Sequence, residues 1–195
     1  MRRVLAILLC SSSLPALAGG LPACAQPVRF AAGWVGDPEV DHSRSAAELD
    51  ALAAAAAAPG RGTQLGHVMV QTRLSVEPQT ACRGLSVRLD FVQPVLRIAR
   101  EMPAGSCSYA LVLAHEQTHV RIHQEIARQF RALHYPWSDR PGSEAVLRFA
   151  KHQLARLMDA QRRFDSPQEY ARGRTACGGE IPRLIAPAPG ASRPP

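Results

Sequence analysis

The chain has 195 residues, enough for one domain with a buried core. It carries a formal charge of +7, and 22 of its 23 basic residues (23 less Lys151) are arginine. The arginines are scattered without interleaved aromatic residues, which argues against a nucleic-acid surface and for a solvated basic one.

The N-terminus reads as a secretory leader. Arg2 and Arg3 supply the charged start, and Val4 to Leu17 an apolar stretch too short to span a bilayer. Ala16-Leu17-Ala18 and Ala23-Cys24-Ala25 both fit small-x-small cleavage sites, so the cut is expected after Ala18 or Ala25. Leu21-Pro22-Ala23-Cys24 also resembles a lipoprotein box, which would put a lipid anchor on Cys24. The mature chain is expected outside the cytoplasm, periplasmic or secreted, either soluble or tethered by lipid. Cleavage after Ala18 leaves Cys24, Cys82, Cys107 and Cys177, enough for two disulfides; cleavage after Ala25 leaves three cysteines. Export favours disulfides, and Cys82 with Cys107 is the expected pair, since it would tie a strand to the start of the next helix. No cysteine has zinc-finger spacing.

Gln26 to His42 reads as a short strand and turn, with Gly33, Gly36 and Pro38 as breakers and Phe30, Trp34 and Val35 as packing anchors. Ser43 or Ser45 then caps an alanine-rich helix to about Ala58, stopped by Pro59-Gly60 and docked through Leu49 and Leu52. From Gly66 to Val76 the pattern alternates. Val68, Val70, Thr72, Leu74 and Val76 share one face, as expected of a half-buried strand. Leu85, Val87, Leu89 and Phe91 repeat the pattern; Pro94 breaks or bulges that strand, and Val95 to Ala99 continues it. These strands predict a small antiparallel sheet.

A long helix is expected from Ser108 to about Leu133, with Leu111, Val112, Ala114, Thr118, Ile122, Ile126, Phe130 and Leu133 buried. After a connection containing Pro136 and Pro141-Gly142, Ser143 caps a second helix to Phe164. That helix turns Val146, Leu147, Ala150, Leu154, Leu157 and Met158 inward. From Asp165 the chain reads as irregular, and from Ala186 as a proline-rich disordered tail.

Within the first long helix stands His115-Glu116-Gln117-Thr118-His119. Residues four apart lie on one helical face, so His115 and His119 can present two imidazole nitrogens to one zinc ion. Glu116, about 100° round the helix, can reach a water beside that ion as general base. Catalytic zinc takes a third protein ligand and keeps one position open. His123 extends the row, but on an unbroken helix it lies about 12 Å along the axis from His115, too far to share the ion. It reads as a supporting or surface residue, with His152 expected opposite it on the second helix. If the two helices form an antiparallel hairpin with its tip near Ser138, Gln161 falls opposite His115 and Leu157 opposite His119. Asp159, Asp165 and Glu169 are then within reach of the ion. Tyr170 and Arg172 follow, and either could stabilise an oxyanion; Tyr170 is the catalytic candidate.

Cys107-x-Tyr109, His115-Glu116-Gln117-x-His119-x-x-Ile122 and Ala127-Arg128-x-Phe130 resemble a bacterial family of secreted zinc-dependent proteases within the zincin-like peptidases. The similarity extends, more weakly, to the strands around Cys82. It also extends to Phe164-Asp165, which resembles the family's Tyr-Asp after the second helix. The family's later Thr-x-His has no histidine here; Gln168-Glu169-Tyr170 occupies the matching region. The resemblance together with reach selects Asp165 as third ligand. It implies an α+β, zincin-like domain over residues 26–185, in which a small antiparallel sheet packs with the HExxH helix and a second antiparallel helix. It further implies an exported zinc metallopeptidase acting on a peptide or protein substrate, laid along the sheet edge as an added strand. The alternative is a non-catalytic exported protein that uses the same helix to bind a metal or a partner.

Overall fold

The computed structural model describes residues 21–55, 63–136 and 142–185. Residues 1–20 of the expected leader, the Pro59-Gly60 helix stop, residues 137–141 of the interhelical connection and the tail from Ala186 lie outside the described residues. Strand β1 (Ala23–Val35) and short β2 (Glu39–Asp41) lead to helix α1 (Ala46–Ala55). Strands β3 (Gly66–Pro78) and β4 (Arg83–Ile98) follow, then the long helices α2 (Cys107–Arg131) and α3 (Ser143–Phe164). The chain ends in α4 (Pro167–Thr175), a 3-10 turn over Ala176–Gly179 and α5 (Glu180–Leu184).

The sheet is mixed, not antiparallel throughout. β3 and β4 form an antiparallel hairpin, while β1 and β2 both run parallel to β4. Alternation of side chains has the same period in both orientations, so the sequence pattern carries no sign of direction. β1 and β2 lie end to end along one side of β4, separated by a turn at Gly36, which has φ +90°. β1 stops opposite Val92 and β2 begins opposite Val95. Pro94, which has no N–H to donate, falls in that gap. On the other side, Met69 pairs with Val95 but Gln71 with Val92, so Val70 faces both Gln93 and Pro94 across a bulge. Gln93 takes φ +51° there. The bulge resets the pleat: Val87, Leu89 and Phe91 point into the core before it, and Leu96 and Ile98 after it.

One core packs Phe30, Val87, Leu89 and Phe91 against Ile126 and Phe130 of α2 and Val146 and Ala150 of α3. Phe30 meets Phe130 edge-on at 5.6 Å. The other packs Leu49 of α1, Leu96 and Ile98 of β4, Val112 and Val120 of α2 and Ile181 of α5. The buried stripe of α2 runs Val112, Glu116, Val120, His123, Ala127 and Phe130, a rotation from the expected stripe. Ala114 is exposed, and Thr118 and Ile122 are only partly covered. The difference arises because two polar residues, Glu116 and His123, occupy positions that an amphipathic reading reserves for apolar ones.

Ser45 and Glu48 cap α1 reciprocally. The Glu48 amide donates to Ser45 Oγ at 3.2 Å, and the Ser45 amide donates to Glu48 Oε2 at 2.6 Å. In α3, Gly142 takes the capping position and Ser143 is the first helical residue. Leu154, Leu157 and Met158 pack on the first core as expected, joined by Phe149.

The segment after Asp165, expected to be irregular, is helical. Ser166 accepts a hydrogen bond from the Glu169 amide at 3.2 Å, and Pro167 opens α4. α4 buries no residue, so it lacks the apolar periodicity by which helices are recognised in sequence.

Both disulfides differ from the expected pair: Cys24 bonds Cys82, and Cys107 bonds Cys177. Cys82 lies in the β3–β4 turn and Cys107 follows the far end of β4. The 16 residues of β4 span roughly 50 Å, which separates them. Cys24, bonded to Cys82, has no sulfur free for a lipid, which corrects the anchor reading. The folded domain also reaches back beyond residue 26, since β1 starts at Ala23. A cut after Ala18 would retain both bridges; a cut after Ala25 would discard Cys24. Among the described residues no helix is long and apolar enough to cross a membrane.

Candidate metal centre

The site forms where the middle of α2 meets the C-terminal end of α3. Ser106 caps α2 by accepting from the Tyr109 amide at 3.1 Å. Glu180 reaches back from α5 to accept from the Ser108 amide at 2.9 Å, placing a negative charge at the positive end of the helix. His115 and His119 project from one face of this helix, and Phe164 packs against both rings, with centroids at 4.7 and 5.1 Å.

Asp165 is the C-terminal cap residue of α3. Its Oδ1 lies 3.3 Å from His115 Nε2 and 3.0 Å from His119 Nε2. The three side chains are 18%, 12% and 20% exposed in the order His115, His119, Asp165, shielded yet open to a small ion. One ligating atom from each falls within 4.8 Å of the others, an arrangement that could hold a metal ion. Donors about 2.0–2.1 Å from a tetrahedral ion stand about 3.3 Å apart, so the two measured contacts fit such an ion.

The other carboxylates expected within reach are not brought to this point. Glu169 Oε1 lies 3.8 Å from His115 Nδ1, behind the ring rather than before it, and its other oxygen holds Arg172 at 3.1 Å. Asp159 pairs with Arg162 one turn away on its own helix. Tyr170, 40% exposed, stands with its ring 6.0 Å from that of His115. His152, expected opposite His123, is exposed, whereas His123 is buried. Gln161 meets His119 and His123 rather than His115, so the helix pairing is shifted by about one turn from the mirror register.

Gln161 was not singled out for a role by its sequence context. Its Oε1 lies 2.6 Å from His119 Nδ1, and its Nε2 donates to the His119 carbonyl at 3.1 Å. The same Nε2 stands 2.7 Å from His123 Nδ1. His123 is 8% exposed, between Trp34 and Phe91. A long polar side chain one turn before the helix end, facing a helix with histidines at four-residue spacing, was the available signal.

Glu116 is 4% exposed and sits against the start of β3. Its carboxylate accepts from the Val68 amide. A Cβ on Gly66 would lie 2.6 Å from its Cγ and Cδ, so glycine is what allows the strand to approach. Burial pushes the Glu116 carboxyl up to about 7, against the pull of His119 and His115. Burial also opposes the Asp165 charge, but hydrogen bonds from His115 and His119 outweigh it and hold that carboxyl well below the usual range. For His119, burial disfavours the cation, while hydrogen bonds to Asp165 and Gln161 prevail and raise its pKa. Burial lowers the pKa of His123 and of His67.

All these groups line one cleft of about 1460 Å³, walled on one side by Gly66 to Val70 of β3. Among the described strands β3 pairs only with β4, which leaves its other edge towards the cleft.

Compared with known protein families, with curated proteins and with solved structures, the chain matches none.

Proposed function

We propose that this chain is an exported zinc-dependent metallopeptidase with a zincin-like fold, in which His115, His119 and Asp165 would hold the ion. The observation that carries the reading is the convergence of two imidazole nitrogens and one carboxylate oxygen beside a buried glutamate, in a cleft bordered by a strand edge. Two imidazoles and a carboxylate suit zinc better than magnesium or calcium, which favour all-oxygen sites. When bound, zinc would supply Lewis acidity, bringing the pKa of a water towards about 7 and polarising a carbonyl.

The chain's own groups do the rest. A peptide lying along the free edge of β3 would add a strand, its backbone aligned by main-chain hydrogen bonds. Glu116, fixed by the Val68 amide, takes the proton from water as the water oxygen bonds to the carbonyl carbon. It then returns that proton to the leaving amine as the C–N bond breaks. The Tyr170 hydroxyl is the candidate donor to the oxyanion. The two disulfides, Cys24–Cys82 and Cys107–Cys177, are consistent with work outside the cytoplasm. The likeness to the secreted protease family supports the same reading through the histidine helix.

The test is metal content of the purified exported chain beside His119→Ala. About one zinc per chain, lost in the variant, together with cleavage of a peptide library by the wild type alone, is the expected result. Absence of zinc from the wild type after incubation with it at neutral pH would overturn the proposal. Zinc without hydrolysis would favour a non-catalytic metal-binding protein.

A further inference from the structure

We propose that Arg97 and His67, side by side on β4 and β3, form a subsite of the cleft that recognises a carboxylate, so that the substrates of the proposed peptidase are acidic peptides. The peptide substrate rests on the reading above; the carboxylate site is built from residues that take no part in the metal centre. Arg97 and His67 are register partners, and both line the cleft. Side chains alternate along a strand. Gly66 and Val68 turn towards the helices, so His67 and Arg97 lie on the other face, beside the free edge of β3. The Arg97 side chain is 11% exposed, and a buried charge is costly unless it is paired and hydrogen-bonded. Its partners fall short of that. Nε meets Asp41 Oδ2 at 3.3 Å, and Nη1 meets only the sulfur of Met69 at 3.8 Å. Asp41 is shared with Ser43, whose hydroxyl and amide donate to Oδ1 at 2.6 and 3.0 Å. Among the described residues Nη2 has no partner. The end of the guanidinium that carries both Nη atoms is therefore open to a second carboxylate, which the planar fork binds through two parallel hydrogen bonds.

His67 adds a second unfilled position. Its Nδ1 is buried and meets no partner among the described residues, an arrangement that folded proteins rarely leave without a ligand or water to complete it. Burial, then the charges of Arg97 and His119, lower the pKa of the ring, so it stands close to both. A neutral imidazole can offer one N–H to a carboxylate held by Arg97. A peptide added along the edge would lie about 4.8 Å from β3 and roughly 10 Å from β4. A glutamate on the His67 face of that peptide and the Arg97 side chain, reaching past Met69, together close this span. The rest of the cleft favours an anion too. Asp165 is committed to the two histidines and Glu169 to Arg172. Arg121 and Arg174 also line the cleft, and among the described residues neither pairs with a carboxylate. Their positive potential would draw an acidic chain inwards.

The experiment uses the full exported chain, kept metal-free in chelator, and three probe peptides. These are acetyl-Ala-Glu-Ala-amide, acetyl-Ala-Gln-Ala-amide, and acetyl-Ala-Gln-Ala with a free terminal carboxylate. Binding is followed through the ¹H–¹⁵N signals of arginine Nε and of the histidine rings. The wild type is expected to bind a carboxylate peptide at least about tenfold more tightly than the neutral one, with the Arg97 and His67 signals moving. Preference for the glutamate peptide identifies an acidic side chain as the recognised group; preference for the free terminus identifies the chain end. Arg97→Gln should bring the ratio of affinities close to one, and Arg97→Lys, which keeps the charge and loses the fork, should retain only part of it. Thermal unfolding shows whether each variant is folded, and the ratio in the wild type tests the site even if neither is. Equal binding of the three peptides by the wild type, or binding of none, overturns this inference and leaves the metal reading untouched; so does a full preference in folded Arg97→Gln. Selective binding by a wild type that takes up no zinc supports the carboxylate site and overturns the peptidase reading.

Discussion

Replacing Glu116 with Gln should stabilise the metal-free protein at alkaline pH while stopping turnover. The carboxyl is 4% exposed, and burial raises it from an ordinary 4.5 to about 7. Each tenfold change in proton affinity is about 1.4 kcal/mol, so that interval corresponds to about 3 kcal/mol favouring the protonated form in the folded state. The folded chain binds this proton more tightly than the unfolded chain does. The stability it contributes is therefore complete below about pH 4.5 and is lost as the pH rises through about 7. Glutamine has the same shape, can still accept from the Val68 amide and never ionises, so the variant escapes the loss. Urea unfolding of both proteins in chelator, at several values between pH 4.5 and 8, should show a difference near zero at the acid end. It should grow to about 3 kcal/mol in favour of the variant at the alkaline end. His119 and Asp165 titrate in both proteins, and their effects cancel to first order in the comparison. A difference that stays constant with pH would mean that Glu116 ionises normally in the fold, and the burial argument would be wrong. With zinc added, the variant should hold the ion and show no hydrolysis; full activity would sink Glu116 as general base.

Asp165→Asn should lower zinc affinity by more than about tenfold, whereas Asp159→Asn, whose partner is Arg162, should leave it unchanged; chelator competition separates the two. Gly66→Ala would press a methyl group onto the Glu116 side chain. Turnover should fall by about 100-fold or more while zinc content is retained, as read by metal analysis beside peptide hydrolysis. Removing the Cys107–Cys177 bridge, which closes a 70-residue separation, by the double serine variant should cost about 4 kcal/mol on the chain-entropy estimate. Chemical denaturation of the variant beside the oxidised wild type measures it, and an unchanged midpoint would show that α4 and α5 are held without the bridge.

Much of the local structure was legible in the sequence. The apolar alternation of β3 survives in the fold, with Val68, Val70, Leu74 and Val76 packed beneath the helices. The bounds of α2 and α3 agree with the expected ones to within two residues. The face shared by His115 and His119 follows from helical geometry alone, since both residues lie on one rigid element. Asp165 was reachable by resemblance and reach, and the structure brings it to both histidines.

What the sequence could not decide depends on distances between residues far apart in the chain. The direction of β1 against β4 follows from how the chain crosses between them, and period-two alternation is blind to it. The disulfide pairs depend on which ends of β4 the cysteines reach. The buried stripe of α2 includes Glu116 and His123 because the sheet edge and the end of α3 supply partners for them, Val68 for one and Gln161 for the other. A periodicity reading assigns polar residues to solvent, because burying them without partners is costly. Helical and strand periods are written in residues a few positions apart, so the sequence by itself determined β3, β4, α2, α3 and the histidine pair, but not the helices after Asp165. The meeting of Asp165 with both histidines, the burial of His123 beside Gln161 and the cover over Glu116 arise only where α2, α3 and β3 come together, and only the tertiary structure decided them.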